Sequence, residues 1–183
     1  WYDICYILNI SIDTIKKGLE NSKGIEGRFE LVKNDKGYNV IVDYAHTPDA
    51  LKNILSAVKE FSKGKIITVF GCGGDRDKQK RPIMGNIVQE NSDIAIITSD
   101  NPRTENPKEI INDILYGINN KINNYVVIED RKKAIEKAIS IAKKNDIVLI
   151  AGKGHETYQI IGKIKYDFDD RKIAKEIINT IDI

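Results

Sequence analysis

The sequence is short of most residue types that mark a specialised protein. Among its 183 residues are two cysteines, two histidines, four prolines, one methionine and one tryptophan. Cys5 and Cys72 stand far apart, with no cysteine or histidine at metal spacing. Neither a disulfide framework nor a zinc site is read from them, and reduced thiols are the expectation. Aromatic residues make up 7%, too few for a base-stacking platform. The 29 basic and 27 acidic residues nearly cancel to a net charge of +2, which argues against a nucleic-acid-binding surface. No apolar run approaches the roughly 18 residues of a membrane span, and no secretory signal pattern is visible. What is present is ordinary: 41% hydrophobic and 31% charged residues, enough for one buried core. The sequence opens on Trp1 and not on Met, so a piece of a longer protein is expected.

Strand-like and helix-like runs alternate. Strands are predicted at 38–43, 65–70, 93–98, 125–128 and 146–151, mostly continuous apolar runs of the kind buried parallel strands require. Between them lie amphipathic stretches. In 48–62 the stripe is Ala50, Leu51, Ile54, Leu55, Val58 and Phe61, capped by Thr47 with Pro48 in the first turn. In 107–121 Asn106 caps, Pro107 follows, and Glu109 completes a capping box. A third helix is predicted over 131–143 and a last one from about Asp170. Runs at 158–161 and 163–168 predict a hairpin at the sheet edge. The fold class implied is α/β: a doubly wound, mostly parallel, Rossmann-like sheet flanked by helices, with a C-terminal edge hairpin. Residues 1–25 read differently, as a helix ending at Ser22-Lys23-Gly24, and are expected to be the tail of a preceding domain. The domain proper is then 26–183.

In such folds ligands bind outside the carboxyl ends of the strands. The loops leaving those ends hold Asp43 to His46, Gly71 to Arg76, Asp100 to Arg103, Glu129 to Arg131, and Gly152 to Glu156. Both histidines and five glycines lie there. Any one of these loops reads equally as helix caps and turns, but the five together point to a site. Phosphate signatures fail: Arg76 and Thr157 stand where a GxGxxG would need glycine, and no GxxxxGK[ST] occurs. His46 and His155, without fixed spacing, do not make a metal site. The edge does offer separated charges. Arg76 and Arg103 can each grip a carboxylate through a bidentate fork, and Asp100 and Glu156 can each accept from an ammonium. Pro102 fixes its own φ and extends Asn101, holding Asp100 and Arg103 in a set relation. The matching ligand is an amino acid with a zwitterion at each end. The competing reading is internal ion pairing, Arg103 with Glu105 and Arg76 with Asp77.

The stretches GRFE (27–30), VDYAHTPDAL (42–51), VFGCGGDRDKQKRP (69–82), DNPRTE (100–105) and AGKGHETYQ (151–159) resemble, in this order, the C-terminal third of the UDP-N-acetylmuramoyl-tripeptide synthetases, the MurE family of Mur ligases. The DNPR sequence resembles the members that add meso-diaminopimelate. The resemblance implies a cytoplasmic ligase of peptidoglycan synthesis, taken as a monomer, with ATP and Mg²⁺ bound mainly by a central domain. UDP-MurNAc-L-Ala-D-Glu would sit in an N-terminal domain. ATP would phosphorylate the D-glutamate carboxylate, and the diaminopimelate amine would attack the acyl phosphate. It also implies residue roles. Arg28, Asp43 and His46 would meet the nucleotide. Arg76 would hold the carboxylate at the reacting end of diaminopimelate. Asp100, Asn101, Pro102, Arg103, Gly152 and Glu156 would form the seat for its distal end. Lys153 and His155 receive no role, no catalytic base is assigned, and no metal ligand falls on this chain. The alternatives are a ligase for lanthionine or L-lysine, a folylpolyglutamate-type enzyme, and a stand-alone amino-acid-binding module without catalysis.

Overall fold

The computed structural model describes residues 10–21 and 24–181, so Cys5 and the predicted helix end at Ser22-Lys23 lie outside the described residues. The elements run α1 (Ile12–Glu20), β1 (Glu30–Leu31), β2 (Asn39–Asp43), α2 (Pro48–Phe61), β3 (Ile66–Phe70), α3 (Lys80–Asn91), β4 (Ile94–Ile97), α4 (Pro107–Leu115), β5 (Tyr125–Val127), α5 (Arg131–Ile141), β6 (Ile147–Ala151), β7 (Tyr158–Ile161), β8 (Ile164–Asp167) and α6 (Asp170–Thr180).

Six strands form one sheet in the order β1-β2-β6-β3-β4-β5. All neighbours are parallel except β1, which pairs antiparallel with β2. The central strands β3 and β6 are buried along their whole length, as continuous apolar runs demand. Alternation decides which side chains meet which helices. Ile147, Leu149 and Ala151 of β6 face a core with Leu51, Leu55 and Val58 of α2, Met84 and Val88 of α3, and Ile110, Ile111 and Ile114 of α4. Val148 and Ile150 face the other way, onto Ala134, Ile135 and Ala138 of α5 and Ala174, Ile177 and Ile178 of α6. Three helices thus cover one face and two the other. Most described side chains of α1 are exposed.

The predicted caps at Thr47 and Asn106 are in place: Thr47 accepts from the amide of Ala50 and Asn106 from that of Lys108. Asp130, not predicted as a cap, accepts from that of Lys133. Helix α4 ends at Leu115 and not at 121, although Ile118 beyond it is still buried. Helix α3 is not predicted by periodicity, because its buried stripe holds Arg81, Gly85 and Gln89 beside Met84 and Val88. The hairpin forms as its own two-stranded sheet, linked to the Arg103 loop by a bridge between Arg103 and Ile161.

Helix α6 is tied down by more than apolar contact. Arg131 and Asp170 are both wholly buried. Arg131 donates Nε to Oδ1 at 2.9 Å and Nη2 to Oδ2 at 2.7 Å, a bidentate fork, and Nη2 also reaches the Ala151 carbonyl at 3.0 Å. Removing one partner of such a pair strands a charge in the core. Asp170→Ala is expected to lower the stability of the chain by about 3–5 kcal/mol in urea unfolding, whereas Arg131→Met/Asp170→Leu regains most of the loss. Equal losses in the single and double variants would mean that the two charges are not coupled.

Candidate functional site

All five parallel strands end at one edge of the sheet, and the loops after β2, β3, β4 and β6 enclose a cleft of about 380 Å³, to which the Glu129 to Arg131 loop after β5 adds no lining residue. Its position follows from the winding. The chain leaves β3 towards α3 on one face, whereas its neighbour β6 leads through the hairpin to α6 on the other. Adjacent strands whose chains part in opposite directions leave a crevice between their loops.

Arg76, Asp100, Asn101, Arg103, Gly152 and Glu156 all line this cleft, and so does His46. Pro102 does not. It lies behind the loop, where its carbonyl accepts from the amide of Glu105 at 3.1 Å. Arg28 and Asp43 are not on the wall either. Arg28 is exposed and lays its guanidinium over the ring of Tyr44 at 4.7 Å, and Tyr44 does line the cleft. Asp43 is buried, and its two oxygens accept from the amides of Phe29 and Ala45, each at 2.8 Å. Asp43 therefore fastens the turn that carries Arg28 to the end of β2. His46 holds the Tyr44 carbonyl through Nδ1 at 2.8 Å.

The loop after β4 is held on two sides. The amide of Gly74 donates to the Asn101 carbonyl at 2.9 Å, and a Cβ added at Gly74 would stand 1.9 Å from the Pro102 carbonyl oxygen. Only glycine lets the two loops approach this closely. On the other side the hairpin runs along the loop like an added strand. The amide of Arg103 donates to the Ile160 carbonyl, that of Gly162 to the Arg103 carbonyl, and that of Ile160 to Asn101 Oδ1. Gln159 Nε2 donates to the Asp100 carbonyl at 2.6 Å. Arg103 sits at φ +51°, a left-handed conformation costly for a non-glycine residue, which these bonds hold in place.

The charges are arranged unevenly. Asp100 is 6% exposed, and its carboxylate accepts no hydrogen bond from any described residue. Burial pushes its carboxyl above the ordinary carboxylate range, while the positive charges of Arg131 and Lys153 oppose that. A Cβ at Gly152 would stand 2.8 Å from Asp100 Oδ2, so the glycine leaves room in front of the acid. Glu156 accepts from Asn101 Nδ2 at 2.8 Å and lies 3.4 Å from Lys153 Nζ. Among the described residues neither Arg76 nor Arg103 has a carboxylate partner. Arg103 Nη1 donates to the Gly74 carbonyl at 2.8 Å, and Arg76 Nη1 to the Asp75 carbonyl at 3.0 Å. The Arg103–Glu105 and Arg76–Asp77 pairs do not form, because Glu105 is engaged elsewhere and Asp77 Oδ1 accepts from the Gln79 amide. Cys72 on the floor is no nucleophile. Burial, helped by Asp100, pushes its thiol up to about 12.

Glu105 is engaged by Arg81, which is wholly buried. Arg81 bonds Glu105 through both terminal nitrogens, at 2.9 and 2.8 Å, Asp113 at 2.8 Å and the Gly73 carbonyl at 3.2 Å. Glu105 also accepts from the amide of Asp75 at 2.5 Å. Sequence reasoning assigned nothing to Arg81, Arg131 or Lys153, nor to Tyr44, Lys80 and Tyr158 on the wall. A signal for the two arginines exists. Arg81 precedes Met84, Gly85 and Val88, and Arg131 precedes Ala134, Ile135 and Ala138, so each arginine stands on its helix's buried stripe. Among the described residues no group of three or more His, Cys, Asp or Glu side chains is gathered that could hold a metal ion, and no helix is long and apolar enough to cross a membrane.

Comparison with known proteins gives these matches. The family described as "Mur ligase, glutamate ligase domain" matches residues 27–154. A protein of Clostridioides difficile (strain 630), named UDP-N-acetylmuramoyl-L-alanyl-D-glutamate–2,6-diaminopimelate ligase, is 62% identical over 96% of this chain and 36% of its own length. The protein of the same name from Clostridium botulinum (strain ATCC 19397 / Type A) is 55% identical over 97% of this chain and 37% of its own. A solved structure of a ligase with this name superposes with a TM-score of 0.82 at 36% identity, covering 97% of this chain and 38% of that one. The chain thus spans little more than a third of the length of the curated relatives it matches.

The Arg81–Glu105 contact has a pH signature. Hydrogen bonds from Arg81 hold the Glu105 carboxyl down to about 2, against 4.5 for an unperturbed glutamate. Its contribution is therefore complete above about 4.5 and lost as pH falls towards 2. Glu105→Gln is expected to lower the thermal midpoint at pH 7 and to flatten its decline between pH 4.5 and 2. At Asp169 burial pushes upward but the bonds from Arg171 win, and this group supplies slope that remains. An unchanged acid slope in the variant would remove Glu105 from the account.

Proposed function

The chain belongs to the Mur ligases, as their glutamate ligase domain, and we propose that it is the amino-acid-binding domain of a longer ATP-dependent ligase. That ligase adds meso-diaminopimelate to UDP-MurNAc-L-Ala-D-Glu in peptidoglycan synthesis. On this reading residues 1–25 are the tail of a central ATP-binding domain, and 26–183 form the C-terminal domain. The observation that carries the reading is one cleft with acids and arginines both unspent. Asp100 is buried without a hydrogen bond to its carboxylate, and Arg76 and Arg103 have no acid partner among the described residues. An amino acid with an ammonium and a carboxylate at each end supplies the missing partners. The names of the similar proteins, which specify 2,6-diaminopimelate, support the same choice.

The distal ammonium sits between Asp100 and Glu156, and the distal carboxylate on Arg103. Arg76, on the next loop, takes the carboxylate beside the reacting amine. Held at both ends, the amine is delivered to one position, and positioning of this kind supplies much of the rate of amide formation. ATP supplies the phosphoryl group that activates the acceptor carboxylate. The described residues offer neither a phosphate loop nor a set of metal ligands. On this reading nucleotide phosphates and Mg²⁺ are held mainly by the rest of the longer protein. From this chain Arg28, on the turn fastened by Asp43, and His46 reach the nucleotide when the domains close. A soluble nucleotide-linked acceptor and ATP place the reaction in the cytoplasm.

Selectivity tests the assignment. Lysine and diaminopimelate differ by the distal carboxylate. Arg103 Nη1 is spent on the Gly74 and Asn101 carbonyls, and Nε and Nη2 are available to a fork. A charge-assisted hydrogen bond contributes about 1.5–3 kcal/mol, so two give on the order of a hundredfold or more in kcat/KM. In the full-length ligase Arg103→Ala is expected to cost about that factor with diaminopimelate and far less with lysine. Arg103→Lys should recover only part, because a point charge cannot form the fork. The measurement is kcat/KM for both amino acids. Equal losses would mean that Arg103 only supports its loop.

A further inference from the structure

Lys153 is used by nothing so far, yet it is wholly buried behind the wall of the cleft. It lies between Gly152 and Gly154 on the loop after β6, and both glycines have positive φ. Its ammonium donates to the Tyr158 carbonyl. It also stands 3.4 Å from Asn101 Oδ1 and 3.4 Å from Glu156 Oε2. A lysine with no exposed surface is expensive to bury and persists only when paired. Its ammonium also lies over the rings of Tyr158 and Phe168, and the two side chains that accept from it, Asn101 and Glu156, are both lining residues of the cleft.

The charges around Asp100 fall into two sets. Behind it, Arg131 of α5 is neutralised by the fork to Asp170 of α6. Beside it, on the loop after β6, stand Glu156 and Lys153. The loop after β3 contributes Cys72, and Arg76 and Arg103 line the same cleft. Lys80 and the titratable His46 line the cleft too. With Arg131 and Asp170 offsetting each other, Lys153 is the wholly buried cation that stands against both neighbouring acids. Without it Asp100 and Glu156 would face each other across a low-dielectric cleft, and a proton would compete with any incoming ammonium.

We propose that Lys153 is a positioning residue whose buried charge keeps Asp100 and Glu156 together as an anionic seat for one ammonium group. The proposal rests on the amino-acid-binding reading given above. It makes Lys153 a charge-setter and not merely a packing residue, and the two roles differ in their pH dependence. If Lys153 only braces Asn101 and Glu156, its loss harms binding equally at every pH. If it sets the charge, its loss lets Asp100 take up a proton more readily, because burial and Glu156 both push that carboxyl upward. The defect is then largest at low pH and heals as pH rises.

The experiment uses the full-length ligase, with diaminopimelate varied at saturating ATP between pH 6.5 and 8.5. Lys153→Met is expected to lose more kcat/KM for diaminopimelate at pH 6.5 than at pH 8.5, by about threefold or more, with the KM for ATP unchanged. Lys153→Arg, which keeps the charge in another shape, should retain the wild-type pH slope even if its KM rises. Lys153→Met/Glu156→Gln removes one charge of each sign and should return the slope to that of wild type, although the Glu156 contact is lost. A Lys153→Met defect of equal size at both ends of the range, or a double variant that keeps the steep slope, would overturn the proposal while leaving the substrate reading intact. A wild-type ligase without diaminopimelate-dependent turnover would overturn the substrate reading first, and the proposal with it.

Discussion

The cleft depends on burying positive charge beneath it. Arg81, Arg131 and Lys153 have no exposed surface, and a buried cation is tolerated only where acids and carbonyls meet it. Each therefore acts as a fastening point whose partners lie on other elements. Arg81, on α3, gathers Glu105 from the loop before α4 and Asp113 from the last turn of α4, together with the Gly73 carbonyl. Arg131, on α5, joins α6 through Asp170 and the end of β6 through the Ala151 carbonyl. Lys153 joins the loop after β6 to Asn101 and to the hairpin at Tyr158. The sheet places five loops at one edge, but these three cations set how the loops stand relative to one another.

This arrangement explains why a residue as flexible as arginine can serve for recognition at Arg103. Its backbone is held by bonds to Ile160 and Gly162 of the hairpin, and its guanidinium by the Gly74 carbonyl. Gly74 in turn donates to the Asn101 carbonyl, and its loop reaches Glu105 through the amide of Asp75. Little freedom is left for a ligand to remove, so binding energy is not spent on ordering the site. Asp100 is the exception by design of its surroundings. Its carbonyl is fixed by Gln159 while its carboxylate has no donor among the described residues, a need that, on the proposed reading, a bound ammonium would satisfy.

Most of the fold was legible in the sequence because parallel strands and amphipathic helices write their burial into apolar spacing. The strands at 65–70 and 146–151 follow from that alone, and the caps at Thr47 and Asn106 from a short polar side chain followed by proline. Helix α3 was not legible, and the reason is physical. Gln89 is buried because it bonds the carbonyls of Asn119 and Ile122 and the amide of Asn119, and Arg81 is buried because it bonds Glu105 and Asp113. A stripe built from satisfied polar groups has no apolar period. The ends of elements were less legible than their existence, as at α4, where Ile118 keeps the apolar rhythm after the helix has stopped.

The candidate site was legible for part of its wall. Polar residues and a glycine where strands end mark Arg76, Asp100, Asn101, Arg103, Gly152 and Glu156, and these line the cleft, whereas Tyr44, Lys80 and Tyr158 beside them carried no such mark. Residues one layer back are read only when a charge is recognised as buried, which needs the helix face and not merely the motif. Arg131 shows the difference: as part of Glu129-Asp130-Arg131 it looks like another polar loop end, whereas on the stripe with Ala134, Ile135 and Ala138 it can only point inward. Once it points inward it must find an acid, and the sequence clue to which one is the N-cap of the last helix, where Asp169 accepts from the amide of Arg171 and leaves Asp170 to face the core. Lys153 offers no such clue, because a lysine between two glycines reads as solvent-exposed until the loop is folded. A charge behind a binding wall is thus a property of the tertiary structure. The groups that set the electrostatics of this cleft are therefore the ones a motif is least able to name.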